Sequence, residues 1–297
     1  MNTDQQQDYR LEKSQVRAAF EQVARRYDEH AVLQHEVGRR MIERLDLIRL
    51  QPRHVTDIGC GTGRATVALA QRYSGAQVVA VDLATAMLLH ARQRLPLRLR
   101  WQRRFHYVCA DAECLPLADA CTDMVFSNLT LQWCNEPDRA FREFHRIATP
   151  GGLVMFSTFG PDTLKELRDS WRQVDNLTHV NLFMDMHDVG DALVRCGFVN
   201  PVMDVEHFTL TYPDVYQLMR DLKGLGAHNV TVGRPRGLTG KRRMATLAHA
   251  YQRHARDGRL PATYEVVYGH AWVPQGPSRR AGNGGVIGVP VDRIRRP

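Results

Sequence analysis

No apolar run in these 297 residues is long enough to cross a bilayer. The opening MNTDQQQDYR is polar where a secretory leader would carry an apolar core. Cysteine is sparse: Cys60, Cys109, Cys114, Cys121, Cys134 and Cys196 form no Cys-x-x-Cys pair and no zinc-type spacing. That argues against a disulfide framework or a metal site and for reduced thiols in a cytoplasmic protein. There is no internal repeat, no low-complexity core segment and no recognised RNA-binding motif. The expectation is a monomer with no membrane partner and no nucleic-acid partner.

What is present in excess is arginine. The net charge is +8, but the terminal GPSRRAGNGGVIGVPVDRIRRP holds five arginines against one aspartate. This Gly/Pro-rich stretch lacks apolar periodicity and reads as a disordered basic tail over 275–297, leaving the rest only mildly basic.

Apolar residues spaced by three and four predict helix within 11–50, with Ser14 as its N-cap. From Val55 to Phe159 short apolar runs alternate with amphipathic ones. Strands are expected at 55–58, 77–81, 106–110, 122–127 and 152–158, and helices at 63–73, 84–94 and 136–148. Pro150-Gly151-Gly152 is expected to end the last of these helices. DVGDALVRCGF and PVMDVEHFTL add a helix and a strand, and ATYEVVYGHAWV a final strand over 262–273. The pattern gives an α/β fold, a Rossmann-like, doubly wound, mostly parallel seven-stranded sheet. The expected division is an N-terminal helical lid (1–50), a core (51–212), a helical cap (213–261) and a last core strand (262–274). An insertion of about fifty residues before a last strand is too long for a plain connection and implies a function.

VTDIGCGTGRAT follows the first strand directly. A dinucleotide turn is Gly-x-Gly-x-x-Gly; here Gly59 and Gly61 fit, but Arg64 stands third and the glycine comes early, at Gly63. The spacing, with Asp57 before it, suits S-adenosylmethionine, which has no pyrophosphate but a ribose, an ammonium and a sulfonium. Gly59, Cys60, Gly61 and Gly63 make a surface on which such a molecule lies flat. Asp57 would favour its ammonium. Asp82 closes the second strand, where an acid accepts from ribose hydroxyls, and Asp111 closes the third, within reach of an adenine amino group. Either acid alone reads equally well as a cap of the next helix. Three acids in register with the glycine turn favour the ligand.

This segment resembles the class I S-adenosylmethionine-dependent methyltransferases over about residues 50–160, in DIGCGTG, VDLA and ADAECLPLADACTDMVFSNLTLQW. The resemblance implies that Leu83 and Ala112 flank the adenine and that Asn128 lies near the methionine moiety. Farther out, VRAAFEQVARRYDEHAVLQHEVGRRM, FSTFGPDTLKELR, LMRDLKGLGAHN and LPATYEVVYGHAW are similar to the malonyl-acyl-carrier-protein O-methyltransferases of biotin synthesis. That likeness runs from Ser14 to Trp272 and implies a malonyl thioester as acceptor and acyl carrier protein as partner. A malonyl carboxylate is already ionised at neutral pH, so placement rather than base catalysis is the main demand, and it can supply about 7–11 kcal/mol.

Tyr27 is the favoured residue beside the methyl-transfer site, with Phe20 and His30 closing over it; packing alone would also account for Phe20 and Tyr27. In the cap, Lys223 and His228 are candidate catalytic residues, Asn229 a substrate contact, and Lys223 or Arg220 the expected cation for the carboxylate. ARQRLPLRLRWQRRF carries six arginines without an acid. Arg98 and Arg100 are expected carrier contacts, although such charge runs are commonly just solvated. Three other readings stay open: a methyltransferase of a free small carboxylic acid, an assembly factor of respiratory complex I (whose DLKGLG-type motif is similar), and a non-catalytic S-adenosylmethionine sensor.

Overall fold

A computed structural model describes residues 10–175, 177–227 and 239–276. Three helices, α1 (Lys13–Val23), α2 (Tyr27–His30) and α3 (Val32–Arg44), occupy the N-terminal stretch. Ser14 is not the cap. The helix begins at Lys13 with Glu12 before it, and its start is anchored by Lys13 rather than by a hydroxyl.

The strands are β1 (His54–Ile58), β2 (Gln77–Asp82), β3 (Phe105–Cys109), β4 (Thr122–Asn128), β5 (Ala148–Phe159), β6 (Val199–Tyr212) and β7 (Leu260–Trp272). They form one sheet of order β3-β2-β1-β4-β5-β7-β6, in which β7 pairs antiparallel with both neighbours. Connections are α4 (Arg64–Arg72), α5 (Thr85–Arg94), α6 (Leu97–Arg100), α7 (Pro137–Ile147), α8 (Lys165–Trp171), α9 (Met186–Arg195), α10 (Val215–Gly224) and α11 (Lys241–Gln252). None of the described helices is long and apolar enough to cross a membrane.

The apolar spacing explains the layers. On α7, Ala140, Phe141, Phe144 and Ile147 fall on one buried stripe and pack with α9 under one face of the sheet. On the other face, Val37 and Met41 of α3, Leu167 of α8, Leu218 of α10 and Tyr251 of α11 share a second core. The cap helices therefore lie on the same core as α3. Pro150-Gly151-Gly152 does not end α7, which stops at Ile147; it lies inside β5, at a bulge where the β4 pairing jumps from Thr122↔Ala148 to Met124↔Leu153.

Chain order reverses between β1 and β4, and at such a switch point an open sheet leaves a crevice at its carboxyl edge. The candidate site lies there.

Candidate functional site

The turn after β1 shows a separate reason for each glycine. All three have positive φ: Gly59 +71°, Gly61 +52° and Gly63 +81°. A methyl on Gly59 would strike Thr130 Oγ1 at 1.9 Å, and one on Gly63 would strike the Ala91 backbone of α5 at 2.7 Å. Gly61 meets nothing within 4 Å, so it alone faces open space. That space is a cleft of about 670 Å³, whose walls include Tyr27, Gln34, Asp57, Gly61 and Asn128.

Two buried carboxylates frame it. Asp82 accepts from the Gly61 N–H with one oxygen and the Ala84 N–H with the other, both at 2.9 Å. Asp57 accepts from the Thr66 hydroxyl at 2.5 Å. Among the described residues neither has a basic partner. Burial pushes Asp57 up to about 7, opposed by the Thr66 hydroxyl and helped by the Asp82 charge. Burial also lifts Asp82 to about 6, against the backbone N–H bonds it accepts. Two buried carboxyl groups without a cation suit a ligand that brings positive charge, and the open side of Gly61 lets it lie against the backbone.

The sign of the pH dependence follows. Both acids hold protons in the folded chain that the unfolded chain releases, so their stabilisation is complete below about pH 4 and is lost as pH rises through about 6 to 7. The ligand-free protein is expected to lose a few kcal/mol from these groups between about pH 4 and pH 7.5. Asp57→Asn should flatten much of that loss in urea titrations. Equal pH slopes for wild type and variant would contradict the assignment.

The N-terminal helices cover the part of the rim around Asp111 and Trp133. Lys13 Nζ pairs with Asp111 at 2.9 Å and with Glu113, so Asp111 already has a cationic partner. Glu21 accepts from the Thr85 and Ala86 N–H groups at 2.7 and 2.9 Å, capping α5 from outside it. Asn135 exchanges hydrogen bonds with the Leu11 backbone. Phe20 stands edge-on to Trp133 at 5.1 Å and to Tyr27 at 6.4 Å, and Leu83 packs beside it. Ala112 is buried at the same rim. Asp28 accepts from Thr62 of the glycine turn at 2.7 Å, meets His35 at 3.1 Å and pairs with Arg94.

Asn128 Nδ2 donates to the Gln34 carbonyl at 3.0 Å while Ser157 donates to its Oδ1 at 2.8 Å. Desolvation, with anionic Asp82 and Asp28 nearby, pushes the Tyr27 phenol well above its ordinary value. It stays protonated and is no base.

Several expected substrate residues lie elsewhere. Leu218, Leu222 and Leu225 take the inward side of the cap helix and its end, which turns Arg220 and Lys223 to solvent; Arg220 donates to Gln217. Neither lines the cleft. His30 instead meets Asp221 of α10 at 2.9 Å, tying lid to cap. His228 and Asn229, like the tail from 277 onward, lie outside the described residues.

Arg98 and Arg100 lie on α6, just before β3. Arg100 donates to the Leu95 and Gln93 carbonyls, next to Arg94, whose guanidinium reaches the Thr62 carbonyl of the glycine turn at 2.8 Å. Neither arginine lines the cleft. Sequence reading missed Lys13, Glu21, Gln34 and Asn135, because a polar residue on an amphipathic helix carries no sign of which distant backbone it will meet.

Residues 56–156 match the family described as a methyltransferase domain. The malonyl-acyl-carrier-protein O-methyltransferase of Methylovorus sp. (strain MP688) is 54% identical over 269 residues, 90% of this chain and 91% of its own. The enzyme of the same name from Laribacter hongkongensis (strain HLHK9) is 55% identical over 273 residues, 91% of this chain and 92% of its own. Among solved structures, the YcgJ protein of Bacillus subtilis superposes with a TM-score of 0.58 at 14% identity, covering 82% of this chain and 100% of that one. The cyclase SpnF superposes at 0.51 with 22% identity, covering 82% of each chain. Those two likenesses speak for the fold alone.

Proposed function

This chain belongs to the malonyl-acyl-carrier-protein O-methyltransferases, and from that premise we propose the reaction and the residues that serve it. The protein transfers a methyl group from S-adenosylmethionine to the free carboxylate of a malonyl thioester carried on acyl carrier protein, an early step of biotin synthesis. The observation that carries the reading is the pair of buried, cation-free carboxylates, Asp57 and Asp82, around a glycine turn whose middle Cα faces open space.

When bound, S-adenosylmethionine supplies a methyl group already activated by its sulfonium. Asp82 is suited to the ribose hydroxyls, since each of its oxygens keeps accepting capacity beyond the backbone N–H it already binds. Asp57 is suited to the ammonium. Asp111, Leu83 and Ala112 border the adenine end, and Asn128 the methionine end, in keeping with the resemblance.

The acceptor carboxylate is ionised without help, so the chain need not remove a proton. Its work is to position and to exclude water. Tyr27, held protonated, can pack beside the transfer site and donate one hydrogen bond. The lid of α1 and α2 is fastened by Lys13, Glu21 and Asp28 to the core and by His30 to the cap, which fixes it over part of the carboxyl rim. We place the protein in the cytoplasm, where its six free cysteines stay reduced.

The test is direct. Malonyl carrier protein incubated with the enzyme and S-adenosylmethionine should gain the mass of one methyl group, lost again on ester hydrolysis. No gain on malonyl carrier protein, with free malonate methylated instead, would overturn the acceptor assignment.

A further inference from the structure

Beneath the cap lies a second cavity, of about 70 Å³, lined by Trp133, Phe159, Leu222, Leu225 and Tyr264 among others. It has room for about five water-sized groups. Gln34 borders both this cavity and the larger cleft, so its side chain stands in the wall between them. The lining is mainly apolar, and no lysine or arginine contributes to it.

Gln34 and Asn181 are among its polar lining residues. Their Oε1 and Oδ1 atoms are buried, and no donor among the described residues reaches either. An unsatisfied buried carbonyl costs about 1–3 kcal/mol, so two of them on residues that line one cavity call for a ligand that brings an N–H group once these side chains turn toward it. A carboxylate is the wrong partner for these oxygens, being itself an acceptor and charged.

We propose that this cavity receives the thioester-proximal end of the acceptor's arm, with Gln34 and Asn181 sharing the hydrogen bond of its first amide N–H. The proposal rests on the malonyl-thioester reading and adds an orientation to it. A thioester arm of the carrier type is a thin, largely apolar chain interrupted by neutral amides, and the cavity has room for its first few atoms, from the sulfur side to the nearest amide. The malonyl carboxylate then lies on the other side of Gln34, in the cleft bounded by Gly61 and Asn128. Recognition of the substrate is thereby divided: amide acceptors read the arm, and the anion is left to the cleft.

The experiment compares two small substrates that differ in one atom, the N-acetylcysteamine thioester of malonate and its isostere with oxygen in place of the amide N–H. The wild-type enzyme should show kcat/KM about 10- to 100-fold higher for the amide, since the isostere leaves a buried acceptor facing another acceptor. Asn181→Leu should bring that ratio close to one. Gln34→Met is the second variant, expected to shrink the same ratio, and cofactor affinity by calorimetry checks that each variant is folded.

A loss of rate on both thioesters with the ratio intact would mark a structural role and overturn the proposal. So would equal use of the two by wild type. If neither thioester nor malonyl carrier protein is methylated by wild type, the reaction assignment itself fails and this inference falls with it.

Discussion

Replacing Asp82 by alanine is expected to weaken S-adenosylmethionine binding by about two to three orders of magnitude. A hydrogen bond to a charged group contributes about 1.5–3 kcal/mol, and one carboxylate can accept from two hydroxyls. The same change removes the acceptor of the Gly61 and Ala84 N–H groups, so the turn also loses its fixed shape. Asp82→Asn separates the two effects: it keeps one acceptor for the backbone and forfeits the charge. Its affinity should fall between those of wild type and the alanine variant by isothermal calorimetry, with a smaller fall in thermal midpoint than the alanine variant shows. Wild-type affinity in the alanine variant would remove the ribose assignment.

The glycines give the second large effect, and it divides between stability and binding. Gly63→Ala forces a left-handed alanine against the Ala91 backbone at 2.7 Å. Strain of about 1–3 kcal/mol and an overpacking cost of similar size add, so Tm should fall by at least about 6 °C. Gly61→Ala meets no neighbour. It should cost only about 1–2 kcal/mol in stability, while its methyl group projects into the cleft and reduces cofactor affinity at least tenfold. Thermal unfolding and calorimetry on the pair check this. Comparable losses of stability in both variants would mean that Gly61 is buried against protein rather than open to ligand.

Sequence carried the sheet because parallel strands buried on both faces read as apolar runs between amphipathic helices. Val55, Val78, Met124 and Leu153 lie in such runs, and all are buried. It carried the three acids because strand ends and a glycine turn are marked locally. The antiparallel course of β7 was not legible, since a strand's direction depends on how the insertion before it returns to the sheet. The substrate residues were legible least. Lys223 looked functional by its charge, yet the leucines at 218, 222 and 225 set the rotation of its helix and turn it outward. Gln34 drew no notice in the sequence, and its amide becomes conspicuous only in three dimensions, by its burial and the cavity beside it.

The grip of Lys13 on Asp111 and Glu113 has a bearing on how the lid is seated. One ammonium there holds two carboxylates that would otherwise repel each other, so the seat of the first helix is an ionic one. Salt, which screens ionic fasteners of this kind, should loosen that seat, to be read as faster amide hydrogen exchange along the first helix.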